Sequence, residues 1–202
     1  MARAEHWDEA YSTRGVEGVS WYQAAPALSL ELVEALGVSR EAAVIDVGGG
    51  ASFLADELVA RDFTDVTVLD VSAAALDATR GRLPADAPVR RVQADLLEWK
   101  PDRRYDLWHD RAVFHFLVEE HDRHRYLARL TDALVRGGCV IIATFADDGP
   151  EMCSGLPVRR YAAEDLTAAL GEGFELVETR REVHVTPRGA SQPFTWVAGR
   201  LR

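Results

Sequence analysis

Two carboxylates and three consecutive glycines carry the most readable chemistry in this chain. In the run AAVIDVGGGAS, residues 42–52, Asp46 stands two places before the first of Gly48, Gly49 and Gly50; the next apolar run, DVTVLDVS at 65–72, ends on Asp70 and Ser72. Glycines at the end of a β-branched run let backbone approach a ligand more closely than any Cβ permits, and a helix beginning there adds outward N–H groups. Asp70 follows Gly50 by twenty residues, the interval at which a second-strand carboxylate accepts both hydroxyls of a ribose. The pattern therefore predicts binding of an adenosine-containing cofactor. A dinucleotide fingerprint would need a third glycine six positions into the loop, where Phe53 stands. A carboxylate at 46 would repel a diphosphate and suits a ligand carrying an ammonium group.

These residues need strands that end at one edge and helices that start there. Strands are predicted over 43–47, 65–70, 89–94, 105–109, 139–145, 174–185 and 194–200, each a run of apolar or β-branched residues between turn signals. Helical stripes fill the gaps: Phe53, Leu54, Leu58 and Val59 after the glycines, Leu76 and Leu83 after a Ser72 cap, and Tyr126, Leu127, Leu130 and Leu134 up to Gly137 and Gly138. Such alternation gives an α/β fold with a parallel sheet covered on both faces. The turn at 186–193 leaves no room for a crossover helix, so the last two strands should pair antiparallel.

The stretch Asp46-x-Gly48-x-Gly50-x-Ser52 resembles the first motif of the class I S-adenosylmethionine-dependent methyltransferases, with Ser52 at the last glycine position. The resemblance implies a doubly wound, Rossmann-like sheet of seven strands with the last antiparallel. It implies S-adenosylmethionine as cofactor and S-adenosylhomocysteine as product, held by Asp46, Gly48, Gly49, Gly50, Ser52, Asp70, Val71 and Ser72. Asp95, in QAD after the third strand, resembles the residue that accepts from the adenine amino group, with the Leu96 N–H on a ring nitrogen. Taken alone, Asp95 is equally a turn residue, and Ser72 a helix cap. In HWDEAYSTRGVEGVSWYQ, Trp7 and Tyr11 share a helix face and Trp21 follows a glycine-containing loop. They read either as apolar anchors or, by the resemblance, as a lid over the cofactor with Trp21 toward the acceptor.

Candidates for the acceptor side lie after the fourth strand, in WHDRAVFHF, where open α/β sheets bind ligands. His109 and Asp110 are the candidate catalytic groups, to orient or deprotonate an acceptor. Arg111 would pair with an acidic acceptor, and His115 and Cys153 complete the substrate side. Against this, Asp110 with Arg111 also reads as a structural ion pair and His115 as a buried ring. Asp-Arg here resembles thiopurine-type S-methyltransferases, without the full pattern; the lysine methyltransferases' Asp or Glu with Lys-Gly-Thr is absent.

At 202 residues, 48% hydrophobic, the chain can bury a full core. It is expected to form a single domain over 1–202, with cap and lid helices in 1–40 and the cofactor-binding core in 41–202. A net charge of −10 disfavours nucleic acid as partner. The two cysteines form no ligand cluster, so no metal is expected. The sequence has no apolar span of membrane length, and a cytoplasmic protein without a membrane partner is expected. The predicted function is methyl transfer to a nitrogen, sulfur or oxygen nucleophile, of a small molecule rather than a protein. Protein-lysine methylation is the second reading, and a non-catalytic cofactor-binding module the third.

Overall fold

The computed structural model describes residues 2–202. In chain order the strands are β1 (Val44–Val47), β2 (Val66–Asp70), β3 (Val89–Gln93), β4 (Tyr105–Arg111), β5 (Leu134–Phe145), β6 (Met152–Cys153), β7 (Leu156–Pro157), β8 (Phe174–Val185) and β9 (Ser191–Leu201). Helices are α1 (Ala2–Arg14), α2 (Ala27–Ala35), α3 (Leu54–Val59), α4 (Ala73–Arg82), α5 (Glu120–Ala133) and α6 (Ala163–Leu170). A 3-10 turn covers Phe114–Phe116. Seven strands form one sheet in the order β3-β2-β1-β4-β5-β9-β8. Strands β1 to β5 are mutually parallel, and β9 runs antiparallel to both β5 and β8. This is the Rossmann-like sheet with a reversed last strand.

Side chains alternate across the central strands and divide the core in two. Val44, Val66, Val68 and Ile141 join Leu30 and Leu32 of α2 and Leu54 and Leu58 of α3 on one face. Ile45, Val47, Trp108 and Ile142 join Tyr126 and Leu130 of α5 and Leu166 of α6 on the other. Both faces of β1 and β2 are buried throughout, which is why those runs are continuously apolar. The exceptions are Thr67 within β2, and Asp46 and Asp70 toward the carboxyl ends where the sheet opens.

Several boundaries differ from those predicted, and a short hairpin is added. Helix α5 stops at Ala133, and Leu134 is already extended and pairs with Tyr105 at the start of β4. Leu134 is fully buried in the sheet core, so its place in the apolar stripe reflected burial rather than helix. Strand β4 runs two residues further, to Arg111, because Asp110 and Arg111 still pair with Ile142 and Ala143. The loop after β5 contains the β6–β7 hairpin, whose turn residues Ser154 and Gly155 both have positive φ, +50° and +80°, as a tight two-residue hairpin turn demands.

Candidate functional site

The glycine loop is shaped around the two buried carboxylates. A Cβ on Gly49 would lie 2.2 Å from Asp46 Oδ2, and one on Gly50 would lie 2.5 Å from Asp70 Oδ2 and 3.0 Å from the Ala75 methyl. Gly50 also has φ +37°, so glycine is required there on two counts. Asp46 sits on the α2 face of β1. Its Oδ1 accepts from His109 Nδ1 at 2.7 Å, and His109 Nε2 lies 2.9 Å from Ser29 Oγ. Asp46 Oδ2 is buried without a hydrogen-bond partner among the described residues, and Asp46 lines a space of about 50 Å³ together with Gly48, Gly49, Ser52 and His109. An orphaned carboxylate oxygen beside a Cβ-free loop fits a ligand with an ammonium group.

A larger cavity of about 310 Å³ runs along the carboxyl ends of β1, β2 and β4. At one end stand Asp70, Val71, Asp95 and Leu96. The Ser72 N–H donates to Asp70 Oδ1 at 2.8 Å. Burial pushes the Asp70 carboxyl up to about 7; the Ser72 N–H opposes this and the Asp46 charge adds to it. Asp95 accepts from the Leu97 N–H at 2.9 Å. These groups fit an adenosine: a carboxylate for the ribose diol, apolar walls for the ring and a second carboxylate beyond it.

Helix α1 closes this cavity from above. Trp7 packs edge-on against Trp21 and Phe116, with ring centroids 5.4 and 5.2 Å apart, and the Trp21 indole N–H donates to the Tyr11 hydroxyl at 3.0 Å. Burial and the nearby Asp70 charge push the Tyr11 phenol well above its ordinary range, so it stays protonated. Asp8, which the sequence did not single out, holds the helix down: its Oδ1 accepts from Ser72 Oγ at 2.6 Å and from the Ala74 N–H at 3.2 Å. Ser72 Oγ also accepts from the Ala75 N–H at 3.1 Å. Ser72 therefore caps α4 and does not line the cavity.

The other end of the cavity is lined by Trp21, Arg111, Cys153, Leu156 and Pro157. Arg111 borders both cavities. Its guanidinium stacks on Phe194, 4.6 Å from the ring centroid, and Nη1 donates to the Trp21 carbonyl at 3.1 Å. Nε and Nη2 are buried without a hydrogen-bond partner among the described residues. Glu182 Oε2 is 4.0 Å from Nε; it already accepts from the Trp196 indole at 3.1 Å, and Oε1 from Gln23 at 2.8 Å. The Cys153 thiol is buried, which pushes its pKa up to about 11. Ala112 turns the chain out of β4 at φ +73° and lines the cavity, a backbone conformation that a non-glycine residue holds only under constraint.

The remaining candidates lie apart from the large cavity. Asp110 is fully buried, accepts from the Val113 and Phe114 N–H groups and from Tyr126 Oη at 2.8, 3.1 and 2.7 Å, and fastens the turn after β4. His109 lines only the small cavity, with both ring nitrogens engaged. His115 is fully buried against Phe116 and Phe145, accepts the Phe145 N–H at 3.3 Å and is held neutral by burial, down to about 3. The catalytic and substrate roles expected of Asp110 and His115 are thus not matched by their positions.

Residues 45–140 match the family model of a methyltransferase domain. Among curated protein sequences none matches significantly. One similar solved structure, from work on the conversion of a disulfide bond into a thioacetal group during echinomycin biosynthesis, is 23% identical with a TM-score of 0.76, over 98% of this chain and 92% of that one. The 1,6-didemethyltoxoflavin-N1-methyltransferase of Burkholderia thailandensis, solved with its substrate and S-adenosylhomocysteine, is 20% identical with a TM-score of 0.72, over 99% and 84%. A methyltransferase of Anabaena variabilis is 16% identical with a TM-score of 0.74, over 100% and 96%. Residues 45–140 are thus similar to a methyltransferase domain, and the sheet has the fold of these solved structures. The residues at the glycine loop, Asp70 and Asp95 fit S-adenosylmethionine as a cofactor.

Proposed function

We propose that this protein methylates a nitrogen, sulfur or oxygen nucleophile on a small molecule. The observation that carries this reading is that one cavity joins Asp70 and Asp95 at one end to Trp21, Arg111 and Cys153 at the other, under the aromatic cover of α1. The similar structures from echinomycin and toxoflavin chemistry lend support, since their proteins are of this size and fold.

When bound, S-adenosylmethionine supplies a methyl group already activated on a sulfonium. The protein's task is then to hold, align and dry. In this reading Asp70 accepts the ribose hydroxyls, Asp95 and Leu96 meet the adenine edge, and Asp46 Oδ2 takes the ammonium group beside Gly48 and Gly49. Trp7, Tyr11 and Phe116 exclude water, and Trp21, Arg111 and Cys153 form the acceptor wall. His109 orients Asp46 by holding its other oxygen. Among the described residues that line the cavity, the titratable side chains facing the acceptor end are Arg111 and Cys153, and neither is a base at neutral pH. Positioning therefore carries the catalysis.

The test is transfer from isotopically labelled S-adenosylmethionine into an extract, followed by separation of small molecules from macromolecules. Label in the small-molecule fraction is the expected result. Label on protein lysine instead would replace this reading with the protein-methylating one, and recovery of neither would favour a binding module.

A further inference from the structure

We propose that the acceptor end of the cavity is an anion seat, and that the acceptor is a small planar apolar acid gripped through its anionic group by the Nε–Nη2 edge of Arg111. The inference rests on the methyltransferase reading for the position of the cofactor beside it.

Three observations carry it. First, the Arg111 side chain is only 10% exposed, yet two of its nitrogens have no hydrogen-bond partner among the described residues. An unsatisfied buried donor is costly, and a charged one more so, so such atoms point to a missing partner. Second, the two orphaned atoms are not arbitrary. Nε and Nη2 form one edge of the guanidinium, the fork that matches a carboxylate or phosphate in bidentate fashion. Nη1 is the nitrogen already committed to the Trp21 carbonyl, and the ring of Phe194 fixes the plane. The fork is therefore held in one orientation before any ligand arrives. Third, the internal counter-ion is too distant to fill it: Glu182 stays 4.0 Å from Nε while the Trp196 and Gln23 donors hold both of its oxygens.

Charge balance points the same way. Burial lowers the Arg111 pKa to about 10, so the group is still a cation at neutral pH. A second cation, the sulfonium of the cofactor, would share this poorly solvated cavity, where like charges repel strongly. An anion between them removes that penalty, whereas a neutral or cationic acceptor does not. The aromatic walls of Trp7, Trp21 and Phe116 suit a flat apolar body attached to the anion.

The experiment is calorimetry on the wild-type protein saturated with S-adenosylhomocysteine, titrated with benzoate and with benzamide, which share a shape and differ in charge. Benzoate should bind about tenfold or more tightly than benzamide, the worth of a charge-assisted bidentate contact. Arg111→Lys, which keeps the charge and loses the fork, and Arg111→Gln should both erase the preference, and should weaken S-adenosylhomocysteine no more than Gln23→Ala, which loosens the same strap and spares the fork. Equal binding of the two probes, or a preference that survives both substitutions, would overturn the proposal. So would a loss of S-adenosylhomocysteine affinity in both variants well beyond that of Gln23→Ala, which would assign the fork to the cofactor's own carboxylate. Failure of the wild type to bind S-adenosylhomocysteine would remove the methyltransferase reading and this proposal together, whereas cofactor binding without a benzoate preference removes the proposal alone.

Discussion

Asp70 is a carboxylate with one oxygen committed to the Ser72 N–H and the other beside the Gly50 backbone. If it receives the ribose, Asp70→Ala should weaken S-adenosylhomocysteine binding by about 1 to 3 kcal/mol, the worth of hydrogen bonds to a charged group; an unchanged dissociation constant in calorimetry would refute the role. Its elevated pKa, about 7, adds a pH signature. A carboxyl whose folded pKa lies above its unfolded value stabilises the fold below the unfolded pKa, and that stability is lost as pH rises through the folded one. In the cofactor-free protein Asp70→Asn, which mimics the protonated form, should therefore gain stability relative to wild type as pH climbs from the ordinary carboxyl range to about 7, and hold that gain above it. Urea unfolding at a series of pH values measures this difference. Cofactor binding needs the ionised form, so affinity should fall on acidification across the same range and proton release should accompany binding.

The turn leaving β4 shows how an element, rather than a single residue, decides what a candidate does. Asp110 follows an apolar strand at the end where ligands bind, and nothing in its sequence neighbourhood separates a catalytic acid from a structural one. The fold does: the chain reverses through Ala112 at positive φ and aims two N–H groups and the Tyr126 hydroxyl at its carboxylate. Asp110→Asn should lose about 1 to 3 kcal/mol of stability, because the amide presents a donor where an acceptor is needed. A fall in melting temperature together with turnover would support this structural role, and a selective loss of turnover at full stability would contradict it. The glycine loop and Asp70 were legible because their geometry is local, fixed by strand ends within one βαβ unit. The His109–Asp46–Ser29 chain was not, since its members stand 63 and 80 positions apart and only strand pairing brings them together. Phe194 and Glu182, which set the plane and surroundings of Arg111, lie on the antiparallel pair and carry no motif. Leu134 was misplaced for a related reason: an apolar residue at helical spacing looks alike whether it ends a helix or begins a strand.

At the scale of the molecule, residues 2–26 form a strap over the cavity that is fastened at both ends. Asp8 ties α1 to the start of α4. At the far side, the Ser20 carbonyl faces His184 at 2.8 Å, the Trp21 carbonyl takes Arg111 and the Gln23 amide takes Glu182. Among the side chains described in α1, only Ala10 is fully buried, so these polar ties rather than a large apolar face hold the cover in place. Asp8→Ala should speed amide exchange in α1 and weaken S-adenosylhomocysteine binding by about 1 kcal/mol, the net worth of a lost hydrogen-bonded cap, both readable by hydrogen exchange and calorimetry. The sharing of Arg111 between the strap and the acceptor wall has a kinetic consequence. If, as proposed, the side chain that latches the cover also faces the second reactant, entry and exit become interdependent: the nucleoside would go in before the latch forms and leave after the methylated product has gone. Product-inhibition patterns should therefore be those of a compulsory order, S-adenosylhomocysteine competing with S-adenosylmethionine alone, and loosening the strap at its neighbouring tie with Gln23→Ala should move the pattern toward random entry.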